Sequence, residues 1–212
     1  MKCKHSFSHY RECLIKAKEV GYVFLKLHDR AAAARPGKFI FLRHDIDMSV
    51  SNALIMAKIE SGLGIASTYF VRVSGKYNPF HYPNWKCLME IQRLKHELGL
   101  HYSQDIPQVM GQNFGEFFRR EKLILETIMG SPIMGAAVHD PDHSLINDSN
   151  LTSFGLTYHA YSDFFLKQCK YLSDSRGSWR EDCMCRYIGK HNRLCILTHP
   201  IWWFENISCE NY

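Results

Sequence analysis

Two carboxylates stand two residues apart at the end of a strongly apolar run. "FIFLRHDIDMS", residues 39–49, enters as a core strand and leaves with Arg43, His44, Asp45 and Asp47. Carboxylates are seldom buried unless paired or bound to a metal, so a strand that delivers two of them marks a candidate site. Residues i and i+2 of a strand point to one side. Asp45 and Asp47 can therefore reach one centre, one ligating an ion and the other hydrogen-bonded to its water. His101, His139 and His199 each follow an apolar run in the same way, as does Asp174. That donor set suits one divalent ion, with zinc favoured by the nitrogen donors and manganese, iron or cobalt also feasible. Such an ion lowers the pKa of water toward neutrality, and an adjacent carboxylate can take the proton as the water attacks a carbonyl. In isolation the D-x-D could equally cap the following helix or pair with Arg43.

The elements that would hold these residues alternate along the chain. Apolar positions at helical spacing from about Tyr10 to Val20 stop at Gly21, before the short strand "YVFLKL". "AAAARPGK" reads as a connection into the run that ends at Asp47. Ser49 is placed to cap a helix carrying Ala53, Leu54, Met56 and Ala57, which stops at Gly62 and Gly64. The strand "IASTYFVRV" comes next. A helix over "PNWKCLMEIQRLKHELG" then carries His96 as a solvated residue and feeds "LGLHYS". "FGEFFRREKLILETIMG" is a further amphipathic helix, followed by "IMGAAVHD" and by three short strands, "GLTYHAY", "CKYLS" and "LCILTHP". This alternation predicts an α/β fold with a parallel sheet, and the number of strands predicts closure into a barrel. Chemistry in such barrels sits where the strands end.

With 212 residues, 46% of them apolar, and no linker or low-complexity tract, one domain over residues 1–212 is expected. The 26 basic and 21 acidic residues are mixed along the chain without a Lys/Arg stripe, so a nucleic-acid partner is not expected. No apolar leader and no stretch of roughly 20 apolar residues is present, which predicts a cytoplasmic protein without a membrane span. The eight cysteines are scattered, as reduced thiols would be. Cys183 and Cys185 form a C-x-C without the second pair that a zinc knuckle needs, and are read as structural. Trp179, Trp202 and Trp203 are read as core packing rather than sugar-stacking residues.

"LRHDID" before a helix, then "STYF", "HELGLHYS" and "LTHPIWW", in this order and at these separations, resemble the motifs of the NodB-type polysaccharide deacetylases. The similarity is strongest to the "RHDVD" branch, and it runs from about residue 10 to the C-terminus. It implies a distorted (β/α)7 barrel. It also implies a metal-dependent hydrolase that removes an acetyl group from an N-acetylated sugar or glycoconjugate precursor. Carried over by position, it makes Asp45 the general base, Asp47 a metal ligand, His101 the first histidine of an H-x-x-x-H ligand motif, and His199 the general acid toward the leaving amine. Four residues after His101, however, stands Asp105, with Pro107 restricting the backbone there. His139, roughly where the family has an arginine that orients the base, is taken as the third ligand in preference to Asp105, because imidazole is the commoner ligand for this class of metal. Asp174 is expected to bind a sugar hydroxyl or to hydrogen-bond the catalytic groups. Two rival readings remain: a non-catalytic carbohydrate-binding or scaffold protein on the same barrel, and a hydrolase of another C–N or ester bond.

Overall fold

A computed structural model describes residues 3–140 and 144–205. The strands are β1 (Tyr22–Leu25), β2 (Lys38–Ile46), β3 (Thr68–Val71), β4 (Glu97–Tyr102), β5 (Gly135–Val138), β6 (Tyr158–His159), β7 (Lys170–Ser173) and β8 (Arg193–Thr198). All pair in parallel, in the order β6-β5-β4-β3-β2-β8-β7, with β1 added to β2. β2 is the central strand. Its length lets β1 pair with Lys38–Phe41 and β3 with Arg43–Ile46, while β8 runs along Phe39–His44. The result is the curled α/β sheet of a distorted barrel. Among the described residues no ladder joins β6 to β7, and side chains fill that gap.

Period-two alternation along the strands decides which residues meet. On β2, Phe39 and Phe41 join Phe70, Ala137, Tyr158, Phe165 and Cys195 in one apolar cluster. Ile40, Leu42 and Ile46 fall into the two clusters on the opposite face, beneath the helices. Arg43 and Asp45 continue the Phe39 row, and His44 continues the other. Two glycines make room for the interior rings. A Cβ on Gly99 would meet Phe70 at 2.5 Å, and one on Gly135 would meet Tyr158 at 1.9 Å. Each fully buried ring contributes about 1.5–3 kcal/mol, so the small residues and the large ones are matched.

The helices are α1 (Phe7–Glu19), α2 (Val50–Gly62), α3 (Tyr82–Arg93), α4 (Asp105–Val109), α5 (Phe114–Met129) and α6 (Asp163–Lys167). Ser49 caps α2 as expected, its hydroxyl accepting from the Asn52 N–H at 3.2 Å. Ser6 and Asn113 cap α1 and α5 in the same way. Residues 27–34 form a 3-10 helix that takes in Leu27, expected in the strand, and the four alanines of the expected connection. The third helix is shorter than its apolar pattern suggests. It stops at Arg93, Lys95 takes a left-handed φ of 72°, and His96 lies off the helix and buried. No helix among the described residues is long and apolar enough to cross a membrane.

Candidate active site

Strand ends bring the polar residues together. A cavity of about 650 Å³ opens where β2, β4, β5 and β8 finish, and Asp45, Asp47, His101, His139 and His199 all line it. Asp45 is buried at the end of β2, where Arg43 Nη2 donates to its Oδ2 at 2.8 Å. Arg43 is itself fully buried. Its other terminal nitrogen donates to the Ala160 carbonyl at 3.1 Å, and its guanidinium sits 4.4 Å from the Tyr161 ring centre. Burial pushes the Asp45 carboxyl up, but Arg43, His101 and His199 outweigh it and hold the group below its ordinary value. Asp45 Oδ1 is buried and has no hydrogen-bond partner among the described residues.

Asp47, one residue past β2, is the meeting point of the imidazoles. His101 Nε2 lies 3.2 Å and His139 Nε2 3.8 Å from its Oδ1, while His199 Nε2 is 4.0 Å from its Oδ2. Burial raises this carboxyl too. The His101 hydrogen bond and charge, followed by His199 and His139, bring it down to about 2. Burial, then Arg72 and His101, lower His139, which favours the neutral imidazole.

The tautomer of His101 tests whether these residues fit a metal. Its Nδ1 donates to the Ala137 carbonyl at 3.0 Å, which in the neutral ring leaves the Nε2 lone pair facing the Asp47 carboxylate. Two acceptors at that distance need a positive charge between them, either a second ring proton or a cation. A carboxylate with two imidazole nitrogens converging on it is a suitable donor set for a divalent ion. Asp47, His101 and His139 are donors of that kind, but their ligand atoms do not all lie within 4.8 Å of one another, so the half-exposed His139 ring would have to turn inward to complete the set.

His199 is held by Asp174 at the end of β7. Asp174 Oδ1 accepts from the His199 backbone N–H at 2.9 Å and pairs with its Nδ1 at 2.7 Å, and Trp203 Nε1 donates to Oδ2 at 2.8 Å. Burial lowers His199, but Asp174, Asp45 and Asp47 outweigh it and raise the ring above its ordinary value.

No protein-family model and no curated protein matches the chain. Solved structures do. IcaB from Ammonifex degensii aligns over 72% of this chain and 74% of its own, with 20% identity and a TM-score of 0.54. The Streptococcus pyogenes deacetylase PplD, solved with acetate, aligns over 95% and 83%, with 16% identity and a TM-score of 0.52. The chain has the NodB-type deacetylase fold. That fold also carries proteins that have lost activity. A mutant of BA3943, described as a CE4 family pseudoenzyme with restored enzymatic activity, aligns over 77% of this chain and 57% of its own, with 12% identity and a TM-score of 0.50.

Several residues on this deacetylase fold stand elsewhere than expected. Asp174 does not line the cavity. It is fully buried with both oxygens engaged, which leaves none for a sugar hydroxyl and matches the other expectation, a hydrogen bond to His199. Asp105 is exposed at the start of α4 and outside the cavity lining. His44 leaves the cluster altogether, pairing on the far face of β2 with Thr198 and Glu60. His96 is not solvated. Its Nε2 donates to the Ala57 carbonyl, and its Nδ1 accepts from the Ser67 N–H. Trp203 packs in the core, but Trp202 lines the cavity, as do Tyr161, Tyr171, Arg176 and Arg180, four residues that the sequence motifs do not single out. The pairing of Arg43 with Asp45 was legible as an alternative to chemistry. In the structure the same salt bridge holds a carboxylate that faces the cavity.

Proposed function

We propose that this chain is a metal-dependent hydrolase that removes an acetyl group from an N-acetylated sugar or glycoconjugate precursor. The observation that carries the reading is the convergence of two carboxylates and three imidazoles on one cavity, with His101 Nε2 turned toward Asp47 while its Nδ1 donates to the Ala137 carbonyl. Asp47, His101 and His139 would hold one divalent ion, with zinc favoured. When bound, such an ion polarises a carbonyl and makes water acidic enough to attack near neutral pH.

The chain's own residues account for the proton movements. Asp45 stays ionised because Arg43 holds it, and its unpartnered Oδ1 is free to take the proton of the attacking water. His199 Nδ1 is committed to Asp174, which leaves Nε2 toward the cavity. A protonated Nε2 gives its proton to the departing amine, and Asp174 stabilises the imidazolium. Backbone N–H groups at the strand ends are suited to stabilise the negative carbonyl oxygen. The products are acetate and a free amino sugar.

Acetate release from a panel of N-acetyl sugars, measured with and without a strong chelator, tests the reading. Release that the chelator stops and added zinc restores is expected. Bound metal without release from any member of the panel would instead favour a carbohydrate-binding protein, and release only from esters would reassign the bond.

A further inference from the structure

The C-x-C of Cys183 and Cys185 finds its missing partners at the other end of the sequence. Cys3 and the His9 ring of α1 lie beside it, and one ligand atom from each of the four residues falls within 4.8 Å of all the others. Among the described residues this is the one group of His, Cys, Asp or Glu drawn so close together. Cys3 Sγ is 3.6 Å from Cys185 Sγ, and His9 Nε2 is 3.3 Å from Cys183 Sγ. A tetrahedral zinc, with bonds of about 2.3 Å to sulfur and about 2.0 Å to nitrogen, sets its ligand atoms about 3.5–3.8 Å apart. The two measured edges are close to that spacing. The other ring nitrogen, His9 Nδ1, lies 3.6 Å from Oε2 of the exposed Glu12, an ion-pair distance and not a hydrogen bond.

We propose that Cys3, His9, Cys183 and Cys185 bind a structural zinc ion. Four protein ligands leave no open position, so the ion would do no chemistry of its own. The three thiols give up their protons to solvent as it binds. Its effect is to clamp the N-terminal segment to the turn between β7 and β8. That segment also backs the active site. The Phe7 N–H donates to the Phe204 carbonyl at 3.0 Å and the Phe204 N–H to the His5 carbonyl at 2.9 Å. The His5 ring packs edge-on against Trp203 at 4.9 Å, and Trp203 donates to the carboxylate that holds His199.

A fourth thiol is near: Cys13 Sγ lies 3.6 Å from His9 Nε2 but is outside the mutual set. The test uses the full chain with Asp47→Ala, so that metal at the strand-end site does not contribute. One equivalent of zinc should remain, and exchange for cobalt should give thiolate-to-cobalt charge-transfer absorption. Cys183→Ser and His9→Ala should each lower bound metal at least roughly tenfold, whereas Cys13→Ala and Cys87→Ala should leave it in place. Because a cysteine variant can fail to fold, X-ray absorption of the zinc-loaded Asp47→Ala chain supplies a second reading. It should give three sulfur neighbours and one nitrogen, with Zn–S near about 2.3 Å. Zinc with only oxygen and nitrogen neighbours, loss of metal on Cys13→Ala, or a metal-free Cys3–Cys185 disulfide would each overturn the proposal.

Discussion

Arg43 and Asp174 flank the site and do comparable work, since each fixes one group that the proposed reaction uses to move a proton. Asp174→Asn keeps the shape of the Asp174–His199 contact and removes the charge that favours the imidazolium. The expected result is a fall in kcat of roughly 10² to 10⁴ with KM and bound metal little changed, the pattern of a lost transition-state interaction. An equal loss of metal and activity would make Asp174 a structural residue only. The third ligand is a separate matter. His139→Ala should remove one equivalent of metal and Asp105→Ala should not, as total metal analysis of the two purified variants would show. The reverse outcome would move the ligand to the turn at α4. At this scale the sequence is informative where a residue acts through its own strand. Asp45 and Asp47 share a face because their spacing puts them there, but the partners of Asp174 lie 25 and 29 positions away, and no local pattern names them.

Beneath β2, on the face opposite the site, the elements are tied by a second polar cluster. Glu60 of α2 accepts from the Tyr10 and Tyr69 hydroxyls and the Ser67 hydroxyl and pairs with His44 at 2.9 Å, while the His96 ring, its Nδ1 occupied by the Ser67 N–H, lies 3.4 Å away. All five partners are buried. Burial pushes Glu60 up, but His44, then His96 and Ser67, outweigh it and hold the carboxyl below its ordinary value. The folded chain therefore binds this proton more weakly than the unfolded chain does. The stabilisation is complete above the unfolded value of about 4.3 and is lost as pH falls through the lower folded value. Glu60→Gln should lower stability at neutral pH by up to about 3–5 kcal/mol, the range for breaking a buried charged pair. It should also flatten the decline of stability in acid, as denaturant melts at a series of pH values would show. An unchanged acid limb would mean that Glu60 is not the titrating group. This cluster was hidden in the sequence for a specific reason. The apolar pattern of α3 carries on through Leu94, so His96 looked like the next exposed helical position, whereas the left-handed turn at Lys95 redirects it into the core.

At the scale of the whole molecule, strand alternation and strand-end chemistry were the readable part. The α/β barrel and the convergence of Asp45, Asp47, His101, His139 and His199 follow from period-two strands that finish at one rim, and the cap at Ser49 from its place before the apolar pattern of α2. Contacts between the chain ends were not readable. Cys183 and Cys185 lacked a second pair until the fold brought Cys3 and His9 beside them, 174 residues from Cys183 in the case of His9. The open ladder between β6 and β7 was hidden too, because strand counting cannot show which edge is filled by side chains. The central claim is that this rim hydrolyses an acetamide with Asp45 as the proton acceptor. Its most direct test is the rate of acetate release by metal-loaded Asp45→Asn, set beside that of the parent chain on the same N-acetyl sugar. A rate lower by roughly 10² to 10⁴, with metal content unchanged, is predicted. Equal rates with metal bound would make the Arg43–Asp45 pair a structural corner and the proposed mechanism wrong for this chain.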